Sequence, residues 1–111
     1  MRKHHTTKLK EQKIEEMKSY AKEFNLKFDG EFLYAFRNHD QFGRGLFNKT
    51  IFYGKGKYYK DWHCDVDENE ANSFGFGIFP KGNTKVKVKI EDWGCRVKNS
   101  NKCRIWGFEI I

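Results

Sequence analysis

The sequence is poor in the residues and runs that mark several large protein classes. It has one proline among 111 residues, so it is neither a proline-rich linker nor a collagen-like chain. It holds no apolar run of the roughly 18 residues that a membrane-spanning helix needs. Its three cysteines, at positions 64, 95 and 103, are an odd count that speaks against a disulfide framework and for a reducing compartment. The start, Met1-Arg2-Lys3-His4-His5, is basic, but no apolar stretch follows it. A secretory signal is therefore not expected, and a cytoplasmic protein is. There is no Cys-x-x-Cys pair, Gly-x-Ser-x-Gly elbow, P-loop or dinucleotide-binding glycine motif. The length suits one domain and excludes a multi-domain enzyme.

What the chain does have is aromatic residues and positive charge. Eleven Phe, five Tyr and three Trp make up 17% of it, while hydrophobic residues of all kinds reach only 38%. Disordered chains are poor in aromatics, and here a few large rings must supply most of the core. Lys and Arg number 22 against 15 Asp and Glu, a net charge of +7. Such a surplus points to an anionic partner: a nucleic acid, a nucleoprotein or an acidic protein face.

Periodicity divides the chain. Residues 1–7 read as a flexible basic arm and 8–111 as one α+β domain. Residues 8–24 repeat at helical spacing, with Leu9, Ile14, Met17, Ala21 and Phe24 near one face, Thr7 as N-cap and Asn25 as stop. After Asp29-Gly30 the period becomes two. Strands are predicted at 31–37, 46–53, 58–66, 73–79 and 84–93, and the last hairpin pairs 95–97 with 102–110. The expected architecture is one N-terminal amphipathic helix packed on an antiparallel sheet of about five to six strands.

The cysteines raise the question of a metal. A three-residue hairpin loop at 98–100 would set Cys95 opposite Cys103, with Cβ atoms about 5 Å apart. Two thiolates at that separation can share a tetrahedral zinc ion through Zn–S bonds of about 2.3 Å. Cys64 would add a third ligand and His39 the fourth, His39 being preferred to His63, which adjoins Cys64 but points to the opposite face, and to Asp65. A structural zinc would staple a small domain. The competing interpretation is that all three cysteines are small buried hydrophobes.

Lys85, Lys87 and Lys89 alternate with Val86, Val88 and Ile90, and project from one strand face at steps of about 6.7 Å, twice the strand rise. That row suits a polyanion, and also suits an ordinary solvated face. Lys55, Lys57 and Lys60 add a basic hairpin, and Arg96, Lys98, Lys102 and Arg104 another. Phe74-Gly-Phe-Gly-Ile-Phe79 superficially resembles the RNP1 strand of RNA-recognition modules, but it lacks the leading Lys or Arg, and the single helix does not fit that fold. Core packing is expected there, with exposed Phe or Tyr elsewhere as stacking platforms. Asp65-Val-Asp67-Glu-Asn69-Glu70 resembles the start of a calcium loop, yet Glu70 stands where Gly is required and Phe76 where Glu is required. The acids from Asp61 to Glu70 read instead as a solvated edge whose charge contrasts with the lysine face.

Catalysis has two candidate sets, Cys64 with His39 or His63 as thiol and base, and Asn38-His39-Asp40 with Asp65 as a metal nuclease. Neither carries a motif.

The whole-chain profile resembles the small proteins of phages and mobile elements, and among them the anti-CRISPR inhibitors of type II RNA-guided nucleases. The features that carry the resemblance are the basic helix 8–24, the Lys85, Lys87 and Lys89 strand, the acidic edge 61–70 and the isolated thiols Cys64, Cys95 and Cys103. The resemblance implies a non-enzymatic protein in the cytoplasm of a bacterial host. It would act by stoichiometric blocking of a large nucleoprotein's nucleic-acid loading. The +7 charge departs from the acidic DNA mimics among such inhibitors. Contacts to the partner are expected from Lys85, Lys87, Lys89, Arg96, Arg104, Tyr58, Tyr59 and Trp106. A direct nucleic-acid-binding module is the alternative, and a small nuclease or thiol enzyme a second. The oligomeric state, monomer or dimer, is left open by the sequence.

Overall fold

The structure is a computed structural model and describes residues 8–40, 53–70 and 73–111. The basic arm 1–7, Thr7 as helix cap, most of the expected strand 46–53 and the loop around 41–45 lie outside the described residues.

Helix α1 spans Lys10–Phe24 and buries Met17, Tyr20 and Ala21, three positions at helical spacing. Asn25 ends it as expected, in the left-handed conformation that a short polar side chain tolerates (φ 55°), with its backbone N–H returned to the Ala21 carbonyl. The N-cap position is Leu9, which has no capping side chain and is largely exposed.

The strands are β1 (Phe32–Arg37), β2 (Tyr58–Lys60), β3 (Phe76–Ile78), β4 (Thr84–Lys89), β5 (Trp93–Arg96), β6 (Cys103–Ile105) and β7 (Gly107–Ile110). They are antiparallel and form two sheets rather than the single one expected: β1-β4-β7-β2 and β3-β6-β5. The α+β class with an N-terminal helix holds.

The split has a local cause. The long strand predicted at 84–93 would carry Asp92 to the same side as Val86 and Val88, inside the core. The chain instead leaves β4 through a 3₁₀ turn, Ile90–Asp92, and starts β5 at Trp93. The strand predicted at 102–110 breaks beside it at Trp106, whose N–H donates to the Asp92 carbonyl at 2.7 Å. Both chains therefore cross from one sheet to the other at one place. The core lies between the sheets and the helix, where Met17, Tyr20, Leu33, Val86, Val88, Trp93, Ile105 and Phe108 meet. Burying one large apolar side chain contributes roughly 1.5–3 kcal/mol, so these few residues carry much of the fold.

Alternation then decides the outer faces. In the four-stranded sheet Leu33, Ala35, Val86, Val88, Phe108 and Ile110 are buried, and Phe32, Tyr34, Phe36, Lys85, Lys87, Lys89, Tyr58 and Glu109 lie on the other side. No helix among the described residues is long and apolar enough to cross a membrane.

Candidate functional site

The outer face of the four-stranded sheet gathers the lysine row and a set of rings. Register places Phe36 opposite Lys85, Tyr34 opposite Lys87 and Phe32 opposite Lys89. Lys87 also faces Glu109, which faces Tyr58 on the far strand. The ammonium groups lie over the rings: Lys87 Nζ is 4.5 Å from the centre of Phe32, Lys89 Nζ 4.7 Å from Tyr58 and Lys60 Nζ 5.2 Å from Trp62. Such contacts hold long side chains along the face while their heads stay accessible. Lys87 and Lys89 also approach Glu109 and Glu91, at 3.7 and 2.7 Å. Lys85 is exposed and makes no ion pair among the described residues.

Beneath one end of this face sits a group that sequence reasoning missed. Asp92 has no exposed surface. Its Oδ2 accepts from the Tyr58 hydroxyl at 2.6 Å and its Oδ1 from Lys60 Nζ at 2.7 Å. Burial, and then the bond to Asp92, push the Tyr58 hydroxyl pKa up, so it stays a donor. Gly107 makes the room: a Cβ there would lie 2.7 Å from Tyr58 Oη and 3.0 Å from Asp92 Oδ2. The signal in the sequence was the alternation of 84–93, which would bury an acid if continued.

Next to Lys89 the face runs into an open groove of about 480 Å³, lined by Lys8, Lys10, Lys13 and Lys89 together with Glu31 and Glu91. Lys13 Nζ donates to the Glu91 carbonyl at 3.0 Å, and Lys8 pairs with Glu16 at 2.7 Å.

The remaining partner-contact expectations fare differently. Tyr58 is 44% exposed. Tyr59 is corrected: alternation turns it inward, where it packs on Tyr53 and Phe108 at ring separations of 4.8 and 5.6 Å. Arg96 is drawn to helix α1, forming a two-bond pair with Glu23 over the Phe24 ring. Trp106 is half-buried at the sheet crossing. Arg104 is corrected most sharply, being 1% exposed. Its guanidinium donates to the carbonyls of Asp65 (2.9 Å), Asp67 (3.3 Å) and Glu70. The calcium-like loop thus turns its carbonyls onto an internal cation. Gly75, at φ 114°, admits the arginine stem, since a Cβ there would lie 2.9 Å from Arg104 Cγ and from Cys64 Sγ.

The expected metal ligands are not brought together. The last hairpin has a four-residue loop, closed by Val97 N–H on the Lys102 carbonyl and passing through Asn99 in the left-handed region. The added loop residue shifts the register by one, so Cys95 opposes Arg104 and Arg96 opposes Cys103. A one-residue slip turns a side chain to the other face. Cys103 accordingly packs in the core, while Cys95 and Cys64 lie beside Arg104 on the outer side. His39 is buried, stacked on Tyr53 at 4.4 Å, and its Nε2 accepts from Arg37 Nε at 3.1 Å. His63 meets Phe74 instead, at 6.2 Å between ring centres. Among the described residues no group of three or more His, Cys, Asp or Glu side chains is placed to hold a metal ion.

Burial also pushes the Cys64 thiol up to about 12 and raises Cys95 and Cys103, so all three are protonated near neutral pH.

Comparison of the chain with protein-family models, curated proteins and solved structures finds no match.

Proposed function

We propose that this protein acts by stoichiometric binding, without turnover, and that its partner is a nucleoprotein of the RNA-guided nuclease kind. The observation that carries the reading is the separation of charge between two surfaces. Residues 61–70 hold five of the fifteen acids and no Lys or Arg, so the rest of the chain has ten acids against 22 bases, a net +12. The lysine–aromatic face suits the phosphates of a nucleic acid. The acidic loop, bordered by Phe74 at 71% exposure, suits the basic protein channel that holds such a nucleic acid. A nucleoprotein presents both. The cationic face would be repelled by an empty channel, so contact with the loaded complex is favoured over mimicry of its substrate.

The test is a titration into a guide-loaded type II nuclease, with cleavage of target DNA as readout. The expected result is inhibition that saturates near one protein per complex and weakens from 50 to 200 mM salt. Inhibition at far below one equivalent, or chemical alteration of the nucleic acid by this protein alone, overturns the reading in favour of an enzyme. Equal binding to bare nucleic acid and to the complex moves the function to a direct nucleic-acid-binding module.

A further inference from the structure

We infer that the nucleic acid this protein engages is a single strand, laid along β4 and led from Lys89 into the groove beside the start of helix α1. The inference rests on the proposed function for the class of partner and adds the form of the nucleic acid and its path. Lys85, Lys87 and Lys89 cover about 13 Å of strand. The groove begins where that row ends, because Lys89 belongs to both. Lys13, Lys10 and Lys8 continue the positive charge from the sheet onto the helix. A polyanion following the row thus meets six lysines in succession.

Two observations select one strand over a duplex. Rings are interleaved with the lysines: Tyr58, 44% exposed, stands under Lys89, and Trp62, 78% exposed, stands beside Lys60. A ring stacks only on a base that is unpaired and free to turn outward, and a duplex would leave these rings unused. The groove, open and of about 480 Å³, also has room for a nucleotide and not for a double helix. The acids Glu31, Glu91 and Glu109 along the path limit its net charge. Stacking therefore carries a share of the affinity that phosphate contacts alone would not supply.

The experiment uses the full chain and 12-nucleotide oligo(dT) and oligo(U), with a 12-base-pair duplex as competitor, read by fluorescence anisotropy at 50 mM salt. Single strands are expected to bind at least tenfold tighter than the duplex. Lys85→Ala and Lys10→Ala, both at exposed positions, should each weaken binding several-fold and lower the salt slope by about 0.7. Trp62→Ala should weaken it about tenfold with the salt slope unchanged. Circular dichroism of each variant confirms the fold, and Trp62→Phe should restore most of the affinity. Duplex binding as tight as single-strand binding overturns the single-strand inference and leaves the nucleoprotein reading standing. Loss on Lys85→Ala with none on Lys10→Ala overturns the path into the groove. Absence of binding to either form overturns the inference itself, while the nuclease titration still decides the proposed function independently.

Discussion

The outer sides of the two sheets begin from nearly the same sequence pattern and end in opposite states. On β4 the lysines at 85, 87 and 89 alternate with aliphatic residues and stay at the surface. On β6, Arg104 lies between Cys103 and Ile105 in the same alternation, yet it is 1% exposed. The difference is what covers each sheet. Nothing among the described residues lies over the β4 lysines beyond the rings and carboxylates of their own face. The 61–70 loop lies over β6, its carbonyls receiving the arginine, while Lys98 N–H donates to the Glu68 carbonyl at 2.7 Å and Asp65 N–H to the Phe74 carbonyl at 2.9 Å. Alternation states which residues share a face, and only the packing of a distant segment states whether that face meets water.

The comparison can be broken most directly at Arg104. Its removal takes the guanidinium donor from three loop carbonyls, of which that of Asp67 keeps only the Glu70 N–H, and leaves a void over Gly75, so Arg104→Ala should destabilise the protein by about 4 kcal/mol in urea unfolding. Arg104→Lys should rescue little, because an ammonium cannot span the three acceptors. Cleavage in 61–70 during limited proteolysis should rise in step. A loss below about 1 kcal/mol would show that the loop is held by other contacts.

The four-stranded sheet has its own buried charge, and the next test asks whether it weighs as much. Asp92→Ala strands Lys60 and the Tyr58 hydroxyl, and about 3 kcal/mol should be lost. The double variant Asp92→Ala with Lys60→Met should recover part of that loss. Equal losses in the single and double variants would deny the coupling.

A pH series sharpens the contrast on the inner side of the same sheet. Burial, and then the Arg37 charge, lower His39 to about 4 from its ordinary 6.5. The unfolded chain therefore takes up a proton near pH 6.5 that the folded chain refuses until about pH 4. This contribution to stability is whole above pH 6.5 and is lost as the pH falls toward 4. The unfolding midpoint should drop across that window, and His39→Gln should flatten the drop. An identical slope in the variant would assign it to carboxylates.

The smallest effect belongs to the exposed row. Lys85→Ala should change stability by less than about 0.5 kcal/mol, because the side chain is solvated and makes no ion pair among the described residues. A larger loss would mean that the cationic face is structural, and its place in binding would weaken accordingly.

Much of this could be read in advance. The helix, its Asn25 stop, strands β1 and β4, and the outward lysines all follow from local periodicity. The shortened β2 and β3 did not, since residues 61–66 carry strand-like rings but spend their backbone groups on turns, such as His63 N–H to Asp61 Oδ1 and Asp67 N–H to Asp65 Oδ1. In the candidate site the lysines and Tyr58 were legible. Asp92 was not, because no local rule places Tyr58, Lys60 and Gly107 around a residue 15 to 34 positions away in the chain.

By itself the amino-acid order determined the helix, the strand faces and the excess of positive charge, for these depend on contacts a few residues apart. The tertiary structure alone decided that the strands divide into two sheets, that Cys95 faces Arg104 rather than Cys103, and that one basic strand is open while another is closed. Those outcomes turn on one loop residue and on which remote segment packs where, and neither is encoded in local periodicity.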